Sequence, residues 1–147
     1  MKKAVHLTLE ELVKLIVERE NVDREENVSI FYEDGLFKIC VLTPKEFLES
    51  IGTTVFLAFK KLYYKLYKEP VIEKPNAYFS DNFEDIIKKL SILKQPIYCL
   101  YLKSERWELS MKVPFENADV RGIGLNFNHA LTHMHRCLPD HGIEIKI

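Results

Sequence analysis

The two halves of this sequence repeat one pattern of residues, and this repetition constrains the fold more than any single motif. Residues 9–16 (LEELVKLI) match residues 83–90 (FEDIIKKL) at a spacing of 74, and Glu10 is aligned with Glu84. Two further patterns recur in the same order, at spacings of 70 for a strand and 72 for a later helix: Phe37, Ile39 and Val41 with Trp107, Leu109 and Met111, then Val55, Ala58, Phe59, Leu62 and Leu66 with Phe127, Ala130, Leu131, Met134 and Leu138. These three matches favour the hypothesis of an internal duplication.

We therefore divide the chain into two repeat halves, residues 1–73 and 74–147, which we expect to form one compact structural unit. The boundary lies in the segment 70–75, which begins and ends with proline. A chain of 147 residues suits one domain of this kind. Two similar halves are expected to pair about a pseudo-twofold axis, and a ligand or partner can bind on that axis.

Local signals predict a helix and a hairpin in each half. Thr8-x-x-Glu11 has the residues of a capping box, in which a hydroxyl and a carboxylate satisfy free N–H groups at a helix start. Asp34-Gly35 lies between two apolar runs and is typical of a two-residue hairpin turn, which needs positive φ twice. In the second half, clean alternation of polar and apolar residues predicts a hairpin that turns near Ser104.

Other boundaries depend on weaker patterns. Thr43-Pro44-Lys45-Glu46 has the residues of a second capping box and predicts a helix that breaks or kinks near Gly52. The segment 114–124 is expected to be irregular. Short outer strands are expected at residues 3–7, 70–75, 77–79 and 142–147.

The predicted fold class is α+β. It comprises an antiparallel sheet of two hairpins with possible edge strands, flanked by about four helices. Each half then has the order strand–helix–strand–strand–helix–strand, which is the order of elements in ferredoxin-like modules. The alternative is a smaller unit of helix–hairpin–helix in each half.

Composition excludes some classes of protein. The formal net charge of −1 gives no field that would attract nucleic acid or a membrane. No apolar run approaches the ~20 residues that a membrane helix needs, and the N-terminus lacks the pattern of a signal peptide. Three widely spaced cysteines without a C-x-x-C motif indicate a reducing, cytoplasmic setting.

A stripe of histidine and cysteine on the last predicted helix is a candidate metal site. His129, His133 and Cys137 recur every four residues, and His141 follows the helix. Imidazole and thiolate groups are good ligands for zinc. The alternative is that these side chains form a polar flank beside the core.

Arg121-Gly122-Ile123-Gly124 precedes the same helix and is a weak candidate for an anion site. Glycines before a helix can expose backbone N–H groups to an anion, with Arg121 assisting. The alternative is that Gly122 and Gly124 only permit a turn.

Phe56, Tyr63, Tyr64 and Tyr67 widen the apolar arc of the helix predicted near residues 53–68, and a helix that is apolar over so wide an arc is usually covered. Three explanations of what packs on this arc are left open: the other half of the chain, a second copy in a homodimer, or a protein partner. Lysines interleave with these aromatics, so a nucleic-acid surface is a further, unlikely alternative.

These observations favour a non-enzymatic, intracellular protein-binding module, such as an adaptor, an inhibitor or an immunity-type protein. It would act through the aromatic helix or the groove between the halves. The alternative is a metal- or small-ligand-binding protein, whether a binding protein alone or an enzyme, that uses the histidine–cysteine stripe.

Overall fold

The structure is a computed structural model that describes residues 3–22, 27–74, 82–102 and 104–146. Its strands and helices follow in this order: β1 (Val5–Leu7), α1 (Leu9–Arg19), β2 (Val28–Glu33), β3 (Leu36–Leu42), β4 (Phe47–Gly52), α2 (Val55–Tyr67), β5 (Val71–Glu73), α3 (Asn82–Leu90), β6 (Ile97–Tyr101), β7 (Trp107–Lys112), β8 (Asp119–Gly124) and α4 (Phe127–Cys137). Short 3₁₀ turns follow α3 and α4. No helix in the described ranges is long and apolar enough to span a membrane.

Six strands form one antiparallel sheet in the order β4-β3-β2-β6-β7-β8. The first half supplies β2, β3 and β4, and the second half supplies β6, β7 and β8. The halves join where Ser29 pairs with Tyr98 and Ile30 pairs with Ile97. Strands β1 and β5 form a separate parallel pair. This architecture confirms the predicted α+β class, with an antiparallel sheet built around two hairpins and four α-helices in the described chain.

The predicted local signals are confirmed at the helix start and at both hairpin turns. Thr8 Oγ1 accepts from the N–H of Glu11, and Glu11 Oε1 accepts from the N–H of Thr8, which closes the capping box. Asp34 and Gly35 both have positive φ, at 54° and 79°. In the second hairpin, Glu105 takes the positive φ of 61°.

The helix predicted from Thr43 is wrong, because the chain there turns into a third strand. Thr43 Oγ1 does accept from the N–H of Glu46, as in a helix cap. The backbone N–H of Thr43, however, donates to the carbonyl of Glu46 and closes the β3–β4 turn. A threonine hydroxyl accepts from the N–H three residues later both in a turn and in a helix cap. The motif therefore does not distinguish a turn from a helix start.

The segment 114–124 is likewise not wholly irregular, since β8 occupies its second part. Each half therefore has three meandering strands between two helices, and this differs from the predicted order. The described residues 142–146 do not form the expected last strand. Strands β1 and β5 lie within the expected outer segments, and residues 77–79 lie outside the described ranges.

All four helices lie on one face of the six-stranded sheet. Helix α2 packs on β3 and β4, and α4 packs on β7 and β8. The side chain of Lys88 in α3 reaches the rings of Tyr32 and Phe37, and that of Lys14 in α1 reaches Tyr101. The core is the layer between these helices and the sheet, where Phe37 and similar side chains are fully buried.

Two glycines let the helices approach the sheet closely. A Cβ atom at Gly52 would lie 2.8 Å from the backbone nitrogen of Ala58 in α2. A Cβ atom at Gly124 would lie 2.6 Å from the backbone nitrogen of Ala130 in α4. Both separations are shorter than van der Waals contact, so each half needs a side chain no larger than hydrogen at this position.

Candidate functional site

The aromatic residues predicted to bind a partner are mostly covered by the chain itself. Phe56 and Tyr63 are buried, with 5% and 0% of their surface exposed. Tyr67 is partly buried and packs against the core. Tyr64 alone of the four has a well-exposed side chain, at 52%. The fold itself therefore covers three of the four aromatic residues that were predicted to bind a partner, wholly or in part.

Polar contacts tie the two inner tyrosines to the end of α1. The Tyr63 hydroxyl accepts from Arg19 Nη1 over 3.1 Å and donates to Glu69 Oε2 over 3.3 Å. The Tyr67 hydroxyl donates to Glu20 Oε2 over 2.6 Å. Burial, then the hydrogen bond to Glu20, raises the pKa of Tyr67. These contacts join α2 to α1 of the same half.

The histidine–cysteine stripe does not come together as a metal site. His133 Nδ1 accepts from the backbone N–H of Ile123 over 2.9 Å. His141 Nδ1 lies 3.1 Å from Glu116 Oε2, on another loop. In the parts of the chain that the structure describes, no three His, Cys, Asp or Glu side chains are grouped as metal ligands would be. Cys137 is half-buried beside the core.

The glycines of the predicted anion site lie within strand β8 and not in a loop. Both pack against α4. The N-terminus of α4 is already capped, because the N–H of Phe127 donates to Glu10 Oε1 and that of His129 donates to Asn126 Oδ1. Arg121 alternates with Gly122 and Gly124 and so lies on the opposite face of the strand. Arg121 and the two glycines are therefore not brought together on one face of the strand, and the anion site stays a prediction.

The sheet face opposite the helices is a broad surface to which both halves contribute. We call it the open face, because no helix of the described chain packs on it. It is formed by alternate residues of the six strands: Ser29, Phe31, Lys38, Cys40, Leu42, Phe47, Glu49, Ile51, Tyr98, Leu100, Glu108, Ser110, Lys112, Asp119, Arg121 and Ile123.

Strand register arranges these side chains in rows across the sheet. A central polar row crosses all six strands: Glu49, Cys40, Ser29, Tyr98, Ser110 and Arg121. A row beside it in the first half places Lys38 between Phe31 and Ile51. The matching row of the second half runs Leu100, Glu108 and Ile123. Each half therefore presents a charged residue between two apolar ones, with opposite charge in the two halves.

Apolar side chains are unusually exposed on the open face. Leu42, Phe47, Ile51 and Ile123 are 46%, 58%, 49% and 41% exposed. Leu42 and Phe47 are directly paired across β3 and β4, so they form one continuous patch. Large apolar side chains that stay in water mark a surface that another molecule can cover.

The charges of the open face are largely matched to one another. Lys38 Nζ lies 3.3 Å from Glu49 Oε2. The Arg121 guanidinium lies 3.4 Å from carboxylate oxygens of both Glu108 and Asp119. These pairs are exposed and contribute little to stability. They do reduce the net field of the face, which leaves its apolar side chains as the main attraction for a partner.

Cys40, which lies in the central polar row on β3, is not activated as a nucleophile. Burial raises the pKa of its thiol, and this outweighs the lowering by Ser29 and Lys38. A raised pKa keeps the sulfur protonated at neutral pH, and the thiolate is the reactive form. The face therefore offers contact area and polar groups for recognition.

Sequence reasoning missed this face because it depends on β4 and β8, neither of which was predicted. The signal in β4 is the alternation of exposed Phe47, Glu49 and Ile51 with inward Leu48, and it is too short to exclude a helix. In β8, glycines replace the inward apolar residues that would reveal a strand. Comparison with protein-family models and with curated protein sequences gives no match to this chain.

Proposed function

We propose that this protein is a non-enzymatic protein-binding module whose partner lies across the open face of the six-stranded sheet. The observation that carries the proposal is the exposure of Leu42, Phe47, Ile51 and Ile123 on a face to which both halves contribute. Burial of apolar area drives most protein association. The residues are held on strands and not on loops, so the surface is already ordered before a partner binds.

The chemistry of the face indicates the kind of partner. Because Lys38 and Arg121 are already paired with carboxylates, we propose a partner that brings apolar side chains and few charges. An amphipathic segment laid across the strands fits, since its apolar stripe meets Phe47 and Ile51 while its polar side stays in water.

The size of the face supports a reversible complex. Six strands spaced about 4.8 Å apart, each of about 20 Å, give a footprint of roughly 24 by 20 Å. This lies below the ~800 Å² per partner that stable complexes commonly bury. Of the roles considered, an adaptor that binds transiently suits an interface of this size.

The setting we propose is the reducing interior of a cell. Cys40, Cys99 and Cys137 are all free thiols, and Cys99 is fully buried. Extracellular proteins of this size commonly use their cysteines in disulfides. The metal-binding alternative has no comparable support, since the imidazoles of His133 and His141 contact other groups of the chain.

The proposal is tested with paired surface variants in a partner capture from a cell extract. Phe47→Ser and Ile51→Ser, combined, remove apolar area from the open face. Ile92→Ser is the matched control, because Ile92 is 74% exposed and lies outside the sheet. A partner retained by the wild type and the control but lost by the double variant supports the proposal. The purified partner is then titrated against all three proteins, after circular dichroism has shown that they are folded.

Two outcomes contradict the proposal. In one, the titrated partner binds the Phe47→Ser/Ile51→Ser variant as tightly as it binds the wild type. In the other, Ile92→Ser weakens binding as much as the double variant, which shows that exposed apolar area in general is responsible.

A further inference from the structure

Strand β4 lies at one end of the six-stranded sheet, and its outer edge carries backbone groups that can receive another strand. The β3–β4 turn closes with a bond from the N–H of Thr43 to the carbonyl of Glu46. Because edge groups alternate along an antiparallel ladder, the N–H and C=O groups of Phe47, Glu49 and Ile51 point away from β3. Within the described ranges, the outward groups of Phe47 and Glu49 have no hydrogen-bond partner.

The opposite end of the sheet is better protected against strand addition. Strand β8 carries Asp119 and Arg121 at the places of Phe47 and Glu49, at a spacing of 72. Charged side chains are a common protection of a sheet edge. Phe47 is instead 58% exposed and lies directly across from exposed Leu42. Of the two edges, β4 is therefore the one suited to receive a strand.

A lysine of α2 lies on the helix side of this edge. Lys61 is exposed, and its ammonium donates to the carbonyl oxygen of Ile51 over 3.2 Å. No carboxylate of the described chain forms an ion pair with Lys61. Helix α2 has three lysines and no acidic residue, so no neighbour on the same helix offsets this charge. The helix side of the edge therefore favours an acidic residue on an added strand.

The side chains of an added antiparallel strand alternate between two environments. Residues opposite Ile51 and Phe47 lie on the side of the open face, where both partners are apolar. The residue opposite Ser50 lies on the helix side, next to Lys61. The residue opposite Glu49 is uncharged or basic, because like charges across an antiparallel pair are unfavourable. The edge thus fits a segment that is apolar opposite Ile51 and Phe47 and acidic opposite Ser50.

A second copy of this chain does not supply such a segment. Two β4 strands that pair about a twofold axis place Glu49 opposite Glu49 and Leu48 opposite Ser50, so Lys61 meets no carboxylate. The residues of β8 on the helix side are one valine and two glycines, and none of them is acidic. The occupant of this edge is therefore a segment of another protein.

We propose that β4 receives an extended segment of a partner protein, which adds as an antiparallel strand with apolar residues beside Phe47 and Ile51 and an acidic residue beside Lys61. The inference rests on the proposed function, because it specifies how one segment of a protein partner binds at the border of the open face. Main-chain hydrogen bonds supply affinity in this mode of binding, and alternate side chains supply specificity.

The test uses synthetic peptides and the untagged, full-length protein. The acidic peptide is acetyl-Thr-Val-Glu-Thr-Thr-Val-Thr-amide, and the basic peptide has lysine in place of glutamate. Nuclear magnetic resonance gives the dissociation constants and the hydrogen exchange of the N–H groups of Phe47 and Glu49. The acidic peptide is expected to bind at least about threefold more tightly than the basic peptide. It is also expected to slow exchange at both N–H groups.

Reversal of one charge identifies the contact on the helix side. Lys61→Glu is expected to prefer the basic peptide. Lys65→Glu is the matched control, about one turn along the same helix, and is expected to keep the preference of the wild type.

A third peptide tests the backbone pairing without any change to the protein. It is the acidic peptide with a methyl group on the backbone nitrogen of the threonine opposite Glu49, which removes a donor to β4. It is expected to bind at least about threefold more weakly than its parent.

Three results overturn the proposal. They are unchanged exchange of the N–H groups of Phe47 and Glu49 at about 5 mM acidic peptide, a peptide preference that Lys61→Glu does not reverse, and equal binding of the methylated peptide. A peptide that shifts the resonances of Tyr98 and Ser110 on the open face without slowing exchange at β4 also rejects the edge. That last result leaves the proposed function intact.

Discussion

Glu10, in the first turn of α1, accepts a hydrogen bond from the backbone N–H of Phe127 at the start of α4, with 3.0 Å between Oε1 and the nitrogen. Glu84 in α3 accepts in the same way from the N–H of Val55 at the start of α2, also over 3.0 Å. Each half thus caps a helix of the other half. A carboxylate at a helix N-terminus satisfies a free N–H and suits the helix dipole.

The reciprocal caps predict that loss of either glutamate destabilises the whole chain. Glu10→Ala is expected to lower the free energy of unfolding by about 1–3 kcal/mol, because it leaves a buried N–H without its acceptor. Glu84→Ala is expected to cost about 1–2 kcal/mol at its half-buried site. Urea denaturation measures both, and a single transition in each variant is expected because the sheet is continuous.

Glu18→Ala is the control for this comparison. Glu18 lies on the exposed side of α1, with its Oε1 atom 3.9 Å from Lys14 Nζ. An exposed ion pair of this kind contributes little to stability. If Glu10→Ala costs no more than Glu18→Ala, the cross-half cap is not a stabilising contact.

Glu84 also predicts a pH dependence with a definite sign. Burial raises the pKa of Glu84 above its ordinary value, although the bond from Val55 works against this rise. The folded state then holds the proton more tightly than the unfolded state, so the pH-dependent part of the stabilisation by Glu84 is fully present below its ordinary pKa. It is lost as pH rises through the raised pKa.

Glu84→Gln tests this sign, because glutamine can still accept from Val55 but does not ionise. Between about pH 4 and pH 7, the variant is expected to gain stability relative to the wild type. The measurement is urea unfolding of both proteins across that range. The assignment is contradicted if the difference in unfolding free energy between the two proteins stays constant. It is also contradicted if this difference changes in favour of the wild type as pH rises.

The sequence predicted the parts of the fold that depend on local chemistry. Thr8-x-x-Glu11 and Asp34-Gly35 specify their structures through hydrogen bonds and φ values within four residues, and both are found as expected. The alignment of Glu10 with Glu84 indicated that the two residues hold matching positions. It did not indicate that each carboxylate caps a helix of the opposite half. That contact joins residues 117 positions apart.

The open face and the aromatic helix show why the site was harder to predict. A helical pattern shows that α2 has a wide apolar arc, but it does not show what covers it. The hydroxyl of Tyr67, for example, donates to Glu20, which is 47 positions away. The open face depends on β8, whose inward positions Gly122 and Gly124 carry no apolar side chain because α4 occupies that space.

The contact between Tyr67 and Glu20 predicts a structural role for this tyrosine. Tyr67→Phe removes the hydroxyl and is expected to lower the free energy of unfolding by about 0.5–1.5 kcal/mol. It is expected to leave partner binding at the open face unchanged, since Tyr67 lies on the other side of the sheet. Tyr64→Phe is the matched control and is expected to change stability by less than about 0.5 kcal/mol.

A double-mutant cycle with Glu20→Ala assigns the effect of Tyr67→Phe. If the contact is responsible, the two changes together cost less than the sum of their separate costs. Full additivity would show that the hydroxyl stabilises the fold through some other group.

Gly52 and Gly124 set a tight steric limit at matching places in the two halves. Alanine at either position places a methyl group within 2.8 Å or 2.6 Å of a helix backbone nitrogen, so α2 or α4 has to move away from the sheet. Each change is expected to cost about 1–3 kcal/mol, the usual range for overpacking. Thermal or urea unfolding measures the cost, and Ser50→Ala, on the same strand as Gly52, is the control. If Gly124→Ala lowers the free energy of unfolding no more than Ser50→Ala does, α4 does not approach β8 as closely as these distances require.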